Sequence, residues 1–275
     1  MPVGMGRGDD LLQRAVFALN NHRPDEAERI ARDVLKAVPQ QPQALQILGR
    51  ALLVQGRAQD AIALLEPVAR SRHDPEIDTQ LAMALRKVGR DEDALARLKR
   101  ATKRPPPYVP ALRELGSLLY AMDRYHEAAE ALRLAVQAAP MMPDLAIQLG
   151  YAYLQCRNCA DAKAAFGRAL EIAAAPDALF GMARAHQGAG ENAPAVEFFR
   201  RHLVAKPDNW AAWLSLGHCL LELGELDAGY ECFRTAARGD AKRSGNALAS
   251  LVKSARGRFW LKPSAAARFL LGQKS

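Results

Sequence analysis

Small and large apolar residues recur along this chain with a fixed period. Ala27, Ala61, Ala94, Ala128, Ala162, Ala195 and Gly229 stand 33 or 34 residues apart. Twelve residues before each lies a second small residue: Ala15, Gly49, Ala82, Gly116, Gly150, Ala183 and Gly217. With repeats starting at Gly8, Pro42, Pro75, Val109, Pro143, Pro176 and Trp210, these two sets fall at repeat positions 8 and 20. Position 7 holds Leu48, Leu81, Leu115, Leu149, Met182 and Leu216; the first repeat has Arg14 there, where no earlier repeat needs covering. Position 24 holds Ala31, Leu65, Leu98, Leu132, Phe166, Phe199 and Phe233. Positions 20, 24 and 27 form an i, i+4, i+7 stripe, the signature of one buried helix face. Each repeat therefore reads as helix A, a turn, helix B and a loop. Gly56, Gly89, Gly190 and Gly224 suit the end of helix A, and Pro39, Pro106, Pro140 and Pro207 stop helix B. Small residues at positions 8 and 20 let the two helices cross closely.

The pattern resembles the tetratricopeptide repeat, a helix–turn–helix of about 34 residues. The last repeat carries it most fully, with Trp213, Leu216, Gly217 and Leu220, then Gly229, Phe233 and Ala236. The resemblance implies an all-α fold, a right-handed α-α superhelix, with seven repeats over 8–243 and a basic capping helix and tail over 244–275. It also implies that helix A lines a concave groove and that partners touch repeat positions 2, 5, 9, 12 and 13. Those positions supply Arg50, Arg86, Lys87, Arg113 and Arg184, with Tyr120, Tyr151 and His218 between them. Arginine forks suit carboxylates and tyrosine offers a rigid amphipathic surface, so the expected ligand is a peptide of acidic character. The competing expectation is a merely solvated face, because Asp9, Glu76, Asp144, Asp177 and Glu222 dilute the positive field. Family members that clamp a chaperone's C-terminal carboxylate need lysine and asparagine at set places; here those places hold Leu12, Val16, Ile47 or Arg50, and Glu76 or Gln80, so that clamp is missing. Asp78, His186 and His202 depart from the apolar pattern and predict softer local packing.

Charge adds one feature. The net charge is +8, yet residues 239–275 hold eight of the basic residues against Asp240 alone, which leaves the repeats almost neutral. Within that tail, Leu248, Leu251, Val252 and Ala255 predict a capping helix over about 246–256, since a terminal repeat must hide its open apolar side. A short helix follows from Pro263 to about Leu271, with Ala265, Phe269 and Leu270 either folded back on the cap or available. Lys253, Arg256, Arg258, Trp260, Lys262 and Arg268 are the residues through which the tail would meet an anionic membrane surface if it does more than cap. Nucleic acid is not expected as a partner, because no recognition module accompanies the charge.

Candidate chemistry changes little. The chain lacks the phosphate-binding glycine loop, the nucleophile elbow and the paired-histidine zinc motif. No cofactor or metal is expected, and the chain reads as a non-enzyme. Cys156 and Cys159 form a C-x-x-C across the A–B turn of the fifth repeat, and are expected to be ordinary cysteines. No apolar run approaches a membrane span and the first residues lack a secretory signal, so the expected address is cytoplasmic. The alanine- and arginine-rich composition hints at a bacterial source. The function that follows is a protein–protein interaction scaffold or adaptor. The alternative is an accessory subunit of a separate envelope, polysaccharide or sulfotransferase-type enzyme, or a membrane-surface assembly factor acting through the tail. Self-association is left open.

Overall fold

The computed structural model describes residues 5–71, 73–103, 105–238, 241–253 and 263–270. Among these residues there are sixteen helices and no strand. They fall into two bodies, residues 1–138 and 139–275.

The N-terminal body contains four hairpins. They are α1 (Met5–Asn20) with α2 (Pro24–Ala37), α3 (Pro42–Val54) with α4 (Ala58–Ser71), α5 (Pro75–Lys87) with α6 (Asp91–Ala101), and α7 (Val109–Ala121) with α8 (Tyr125–Ala138). Each odd-numbered A helix packs on its own B helix, and α3, α5 and α7 also pack on the B helix before them and on the preceding A helix. The C-terminal body holds α9 (Pro143–Gln155) with α10 (Cys159–Ile172), α11 (Pro176–Gly188) with α12 (Asn192–Ala205), and α13 (Trp210–Glu222) with α14 (Leu226–Ala237). Two further helices, α15 (Ala241–Lys253) and α16 (Pro263–Leu270), follow.

Six of the seven predicted repeat starts coincide with the first residue of an A helix. Proline explains four of them, because at the first helical position its missing N–H costs nothing and its φ is already helical. Asp74 caps α5 by accepting from the Glu76 and Ile77 amides at 2.9 and 3.4 Å. The A helices all end the same way. Repeat position 15 is left-handed in every hairpin: Gly56, Gly89, Gly190 and Gly224 at φ 77–85°, but also His22, Asp123 and Arg157 at 55–59°. Glycine takes that conformation without strain; the other three hold it against a steric cost.

The core lies where A and B helices cross. Ala15, Ala27, Ala61, Ala94, Ala128, Ala162, Ala183 and Ala195 are fully buried. In the C-terminal body Phe166, Phe199 and Phe233 fill the space between them. A methyl group added at Gly150 would stand 2.6 Å from Phe166 Cζ, so that glycine is what admits the ring.

The expected softness at the polar departures is not found, because each polar group has partners. Asp78 is almost wholly buried and receives the Arg100 guanidinium in two hydrogen bonds, one of them at 2.8 Å from Nε. Arg100 also donates to the Ala69 carbonyl at 2.7 Å. His202 is fully buried; its Nδ1 lies 2.8 Å from the Pro176 carbonyl oxygen and its Nε2 lies 2.8 Å from Asn209 Nδ2. The carbonyl can only accept and the amide nitrogen can only donate, so His202 is the Nδ1–H tautomer. His186 stacks on Phe198 at 5.4 Å and contacts the Glu191 carboxylate at 2.5 Å.

The C-terminal helices depart slightly from expectation. α15 starts at Ala241, five residues before the predicted position, because Gly245 is accommodated inside it. Its buried line is Ala247 and Leu251, with Leu248 half-buried, whereas Val252 is exposed. Ala255 lies outside the described residues. Ala266 and Leu270 of α16 join the same cluster with Tyr230 and Phe233 of α14. Arg234 lies 4.4 Å from the Phe269 ring centre, and Tyr230 meets that ring edge-on at 5.1 Å. The last described helix is therefore folded back on α14.

Candidate functional site

A cleft of about 470 Å³ opens across the A helices α3, α5 and α7 of the N-terminal body. Eight of its ten lining residues stand at repeat positions 2, 5, 9, 12 and 13. Arg50, Leu53 and Val54 come from α3, Glu76, Thr79 and Met83 from α5, and Pro110 and Arg113 from α7. The remaining two are Gln80 of α5 and Tyr108, which precedes α7. Stacking explains this convergence: one face of each A helix is committed to the B helices, and its opposite positions line up along neighbouring A helices.

The cleft combines an apolar floor with charged walls. Leu53 is buried, while Val54 beside it is 66% exposed. Burial raises the pKa of the Glu76 carboxyl, Asp74 adds to that, and Arg50 and the Gln80 hydrogen bond oppose it. The Tyr108 phenol is pushed up to about 12, first by burial and then by the charges of Glu76 and Asp74, against Arg50 and Arg113. Gln80 Nε2 donates to Glu76 at 3.3 Å. Gln80 Oε1 is buried without a hydrogen-bond partner among the described residues and occupies the space that a side chain at Gly49 would fill. Asp74, besides capping α5, accepts from Gln46 Nε2 at 3.0 Å.

The other concavities of this body offer less. One of about 330 Å³ is lined by His73, Pro75, Asp78, Arg100, Ala101 and Lys103, but its central charges are already spent on the Asp78–Arg100 pair.

Repeat-model matches now add to this geometry. Models described as tetratricopeptide repeat match residues 18–79, 79–143, 147–209 and 180–244. The chain belongs to the tetratricopeptide repeat family. Among solved structures, this tetratricopeptide repeat protein is similar to PilF of Pseudomonas aeruginosa, at 20% identity and a TM-score of 0.60 over 80% of this chain and 97% of that one. It is also similar to MamA, at 22% identity and a TM-score of 0.54 over 58% and 95%. A MamA fragment from Desulfovibrio magneticus RS-1 gives 21% and 0.54 over 60% and 94%. Those likenesses support the all-α repeat solenoid fold alone. No curated protein matches the chain.

The predicted site residues divide between the two bodies. Arg50 and Arg113 meet at the α3–α5–α7 cleft. Arg86 donates to Ser117 Oγ at 3.1 Å and lies 3.8 Å from Glu114, so it bridges α5 and α7 beside the cleft. Lys87 is exposed at the end of α5. Tyr120 packs edge-on against Tyr125 at 5.2 Å. In the C-terminal body, Tyr151 packs edge-on against Phe166 at 5.2 Å and its hydroxyl donates to the Asp177 carbonyl at 3.2 Å. Arg184 is exposed on α11. His218 sits edge-on to Phe233 at 5.0 Å, and burial lowers its pKa. Of the tail residues, Arg268 is exposed on α16, the Lys253 backbone ends α15, and Arg256, Arg258, Trp260 and Lys262 lie outside the described residues.

Eight of the cleft's residues stand at the expected contact positions, of which only polar occupants were singled out from the sequence. Leu53, Val54 and Met83 occupy positions 12, 13 and 9 of their repeats. Tyr108 is the last residue of the third repeat, outside the five contact positions. In the C-x-x-C, burial raises the Cys156 pKa, the reverse of what a reactive thiolate at that position needs.

Proposed function

We propose that this protein is a non-catalytic interaction scaffold that holds a peptide segment of a protein partner on the A-helix face. The observation that carries this reading is the α3–α5–α7 cleft. It gathers two predicted contact residues, Arg50 and Arg113, with exposed aliphatic surface at the positions where the family resemblance places partner contacts. Its volume lies within the roughly 300–1,000 Å³ of ordinary ligand pockets, and its walls offer both apolar area and charged hydrogen-bonding groups. A scaffold needs no more than this: a few anchors in a stacked frame, surrounded by contacts that exclude water.

The reading is tested by placing a photo-crosslinking residue at Val54 on the A-helix face or at Leu134, an exposed residue of α8 on a B helix. Crosslinking in the source cell from Val54, with little from Leu134, is the expected result. Adducts from Leu134 alone would move the interaction surface to the B helices and end the proposal. Turnover of a substrate by the isolated chain would likewise end it.

The tail keeps its own reading as a cap. α15 and α16 bury Ala247, Leu251, Ala266 and Leu270 against α13 and α14, which is what a terminal repeat requires. Among the described residues no helix is long and apolar enough to cross a membrane.

A further inference from the structure

The cleft has a chemical bias that narrows its ligand. We infer that it takes an extended acidic peptide, seating one apolar side chain on Leu53, Val54 and Met83 and an adjacent carboxylate against Arg50 and Arg113. This rests on the peptide-scaffold reading and deepens it.

Three observations carry it. First, the cleft presents apolar surface with no protein side to cover it: Val54 is 66% exposed although it directly follows the buried Leu53. Covering such a surface releases water and is favourable, so one anchor side chain is expected there. Second, the charged lining is two arginines and one carboxylate. Arg50 makes no hydrogen bond or ion pair with a described residue, and Arg113 has only a loose contact to Glu114 at 3.5 Å. Both guanidiniums keep donor capacity for a carboxylate, which they bind in fork geometry. Third, Glu76 does not reverse this bias. It is half-buried, tied to Gln80, and opposed by Arg50. A cationic peptide would meet two arginines in the same cleft, and like charges across an interface count against a partner.

The test uses the full chain and a random heptapeptide phage library, followed by fluorescence anisotropy with the best selected sequence as a labelled synthetic peptide. The expected consensus is an apolar residue next to Asp or Glu. Val54→Glu and Arg50→Glu should each weaken that peptide about tenfold or more, as losses at anchor positions do. Val54 and Arg50 are exposed, so both variants should melt with the wild type by circular dichroism. Arg168→Glu, an exposed B-helix residue of α10 in the other body, should change binding less than about twofold. A basic or purely polar consensus overturns the inference. So does unchanged binding in both Val54→Glu and Arg50→Glu; that result moves the site elsewhere on the protein and leaves the scaffold reading standing. Failure to select any peptide overturns both.

Discussion

Replacing Gly150 by alanine puts two opposing effects in one helix. Alanine is favoured over glycine inside a helix by about 1 kcal/mol. Position 8 of the repeat tolerates alanine elsewhere, as Ala15, Ala82 and Ala183 show. At Gly150, however, the new methyl group would lie 2.6–2.8 Å from three Phe166 ring atoms. Carbon atoms rest about 3.5–4.0 Å apart, so the overlap is close to 1 Å. The ring has little room to retreat: it is fully buried, Tyr151 meets it at 5.2 Å, and Gly181 of α11 also packs against its Cε1 and Cζ atoms. Overpacking of this kind costs typically 1–3 kcal/mol. Less the propensity gain, this leaves a net cost of up to about 2 kcal/mol for Gly150→Ala in the C-terminal body, a fall of up to roughly 8 °C in its thermal transition. The assay is a double-mutant cycle with Phe166→Leu, read by urea unfolding. Phe166→Leu alone should destabilise, and adding Gly150→Ala to it should then be neutral or favourable. A stabilised Gly150→Ala single variant, or strictly additive effects, would refute the claim that the ring fixes glycine at this crossing.

Further outcomes follow from the same structure. Arg157→Gly removes a left-handed non-glycine residue from an exposed turn and should stabilise by up to about 1 kcal/mol in thermal unfolding. Asp78→Ala leaves the partly buried Arg100 without its carboxylate and should cost about 3–5 kcal/mol in chemical denaturation, whereas Asp78→Leu with Arg100→Leu should recover most of it. Glu76 has its pKa raised on folding, so its ionisation opposes the folded state above the usual carboxylate range and not below it. Glu76→Gln should therefore raise stability at neutral pH, and the advantage should vanish as pH falls below that range; an unchanged difference across pH would contradict it. Burial pushes the Cys219 thiol up to about 12 and Cys232 up to about 11. Iodoacetamide should label neither in the native protein near neutral pH, and mass spectrometry after unfolding should find both labelled.

Much of the fold was legible because the repeat is written in residues whose roles are steric. Proline at 42, 75, 143 and 176 and glycine at 56, 89, 190 and 224 mark where A helices begin and end through backbone geometry alone. His22, Asp123 and Arg157 show where that reading stops: the same left-handed turn is imposed on them by the flanking helices, and nothing in their side chains announces it. The polar departures were misjudged for a related reason. Asp78 reads as a fault in an apolar stripe until α6 brings Arg100 to it, and His202 until Pro176 and Asn209 close around its ring. Asp78–Arg100 and His202–Pro176 are made between the two helices of one hairpin, 22 and 26 residues apart in sequence, so no local pattern records them. The cleft was half legible. Its arginines followed from repeat register, but its apolar floor is distinguished from core only by exposure, which depends on how the hairpins stack.

The most direct measurement of the scaffold account is hydrogen–deuterium exchange on the full chain with and without the selected heptapeptide. Protection should concentrate in α3, α5 and α7, around residues 50–54, 76–83 and 108–113, with α4, α6 and α8 changing little. Protection confined to the B helices or to α15 and α16 would contradict the assignment of the A-helix face as the binding surface.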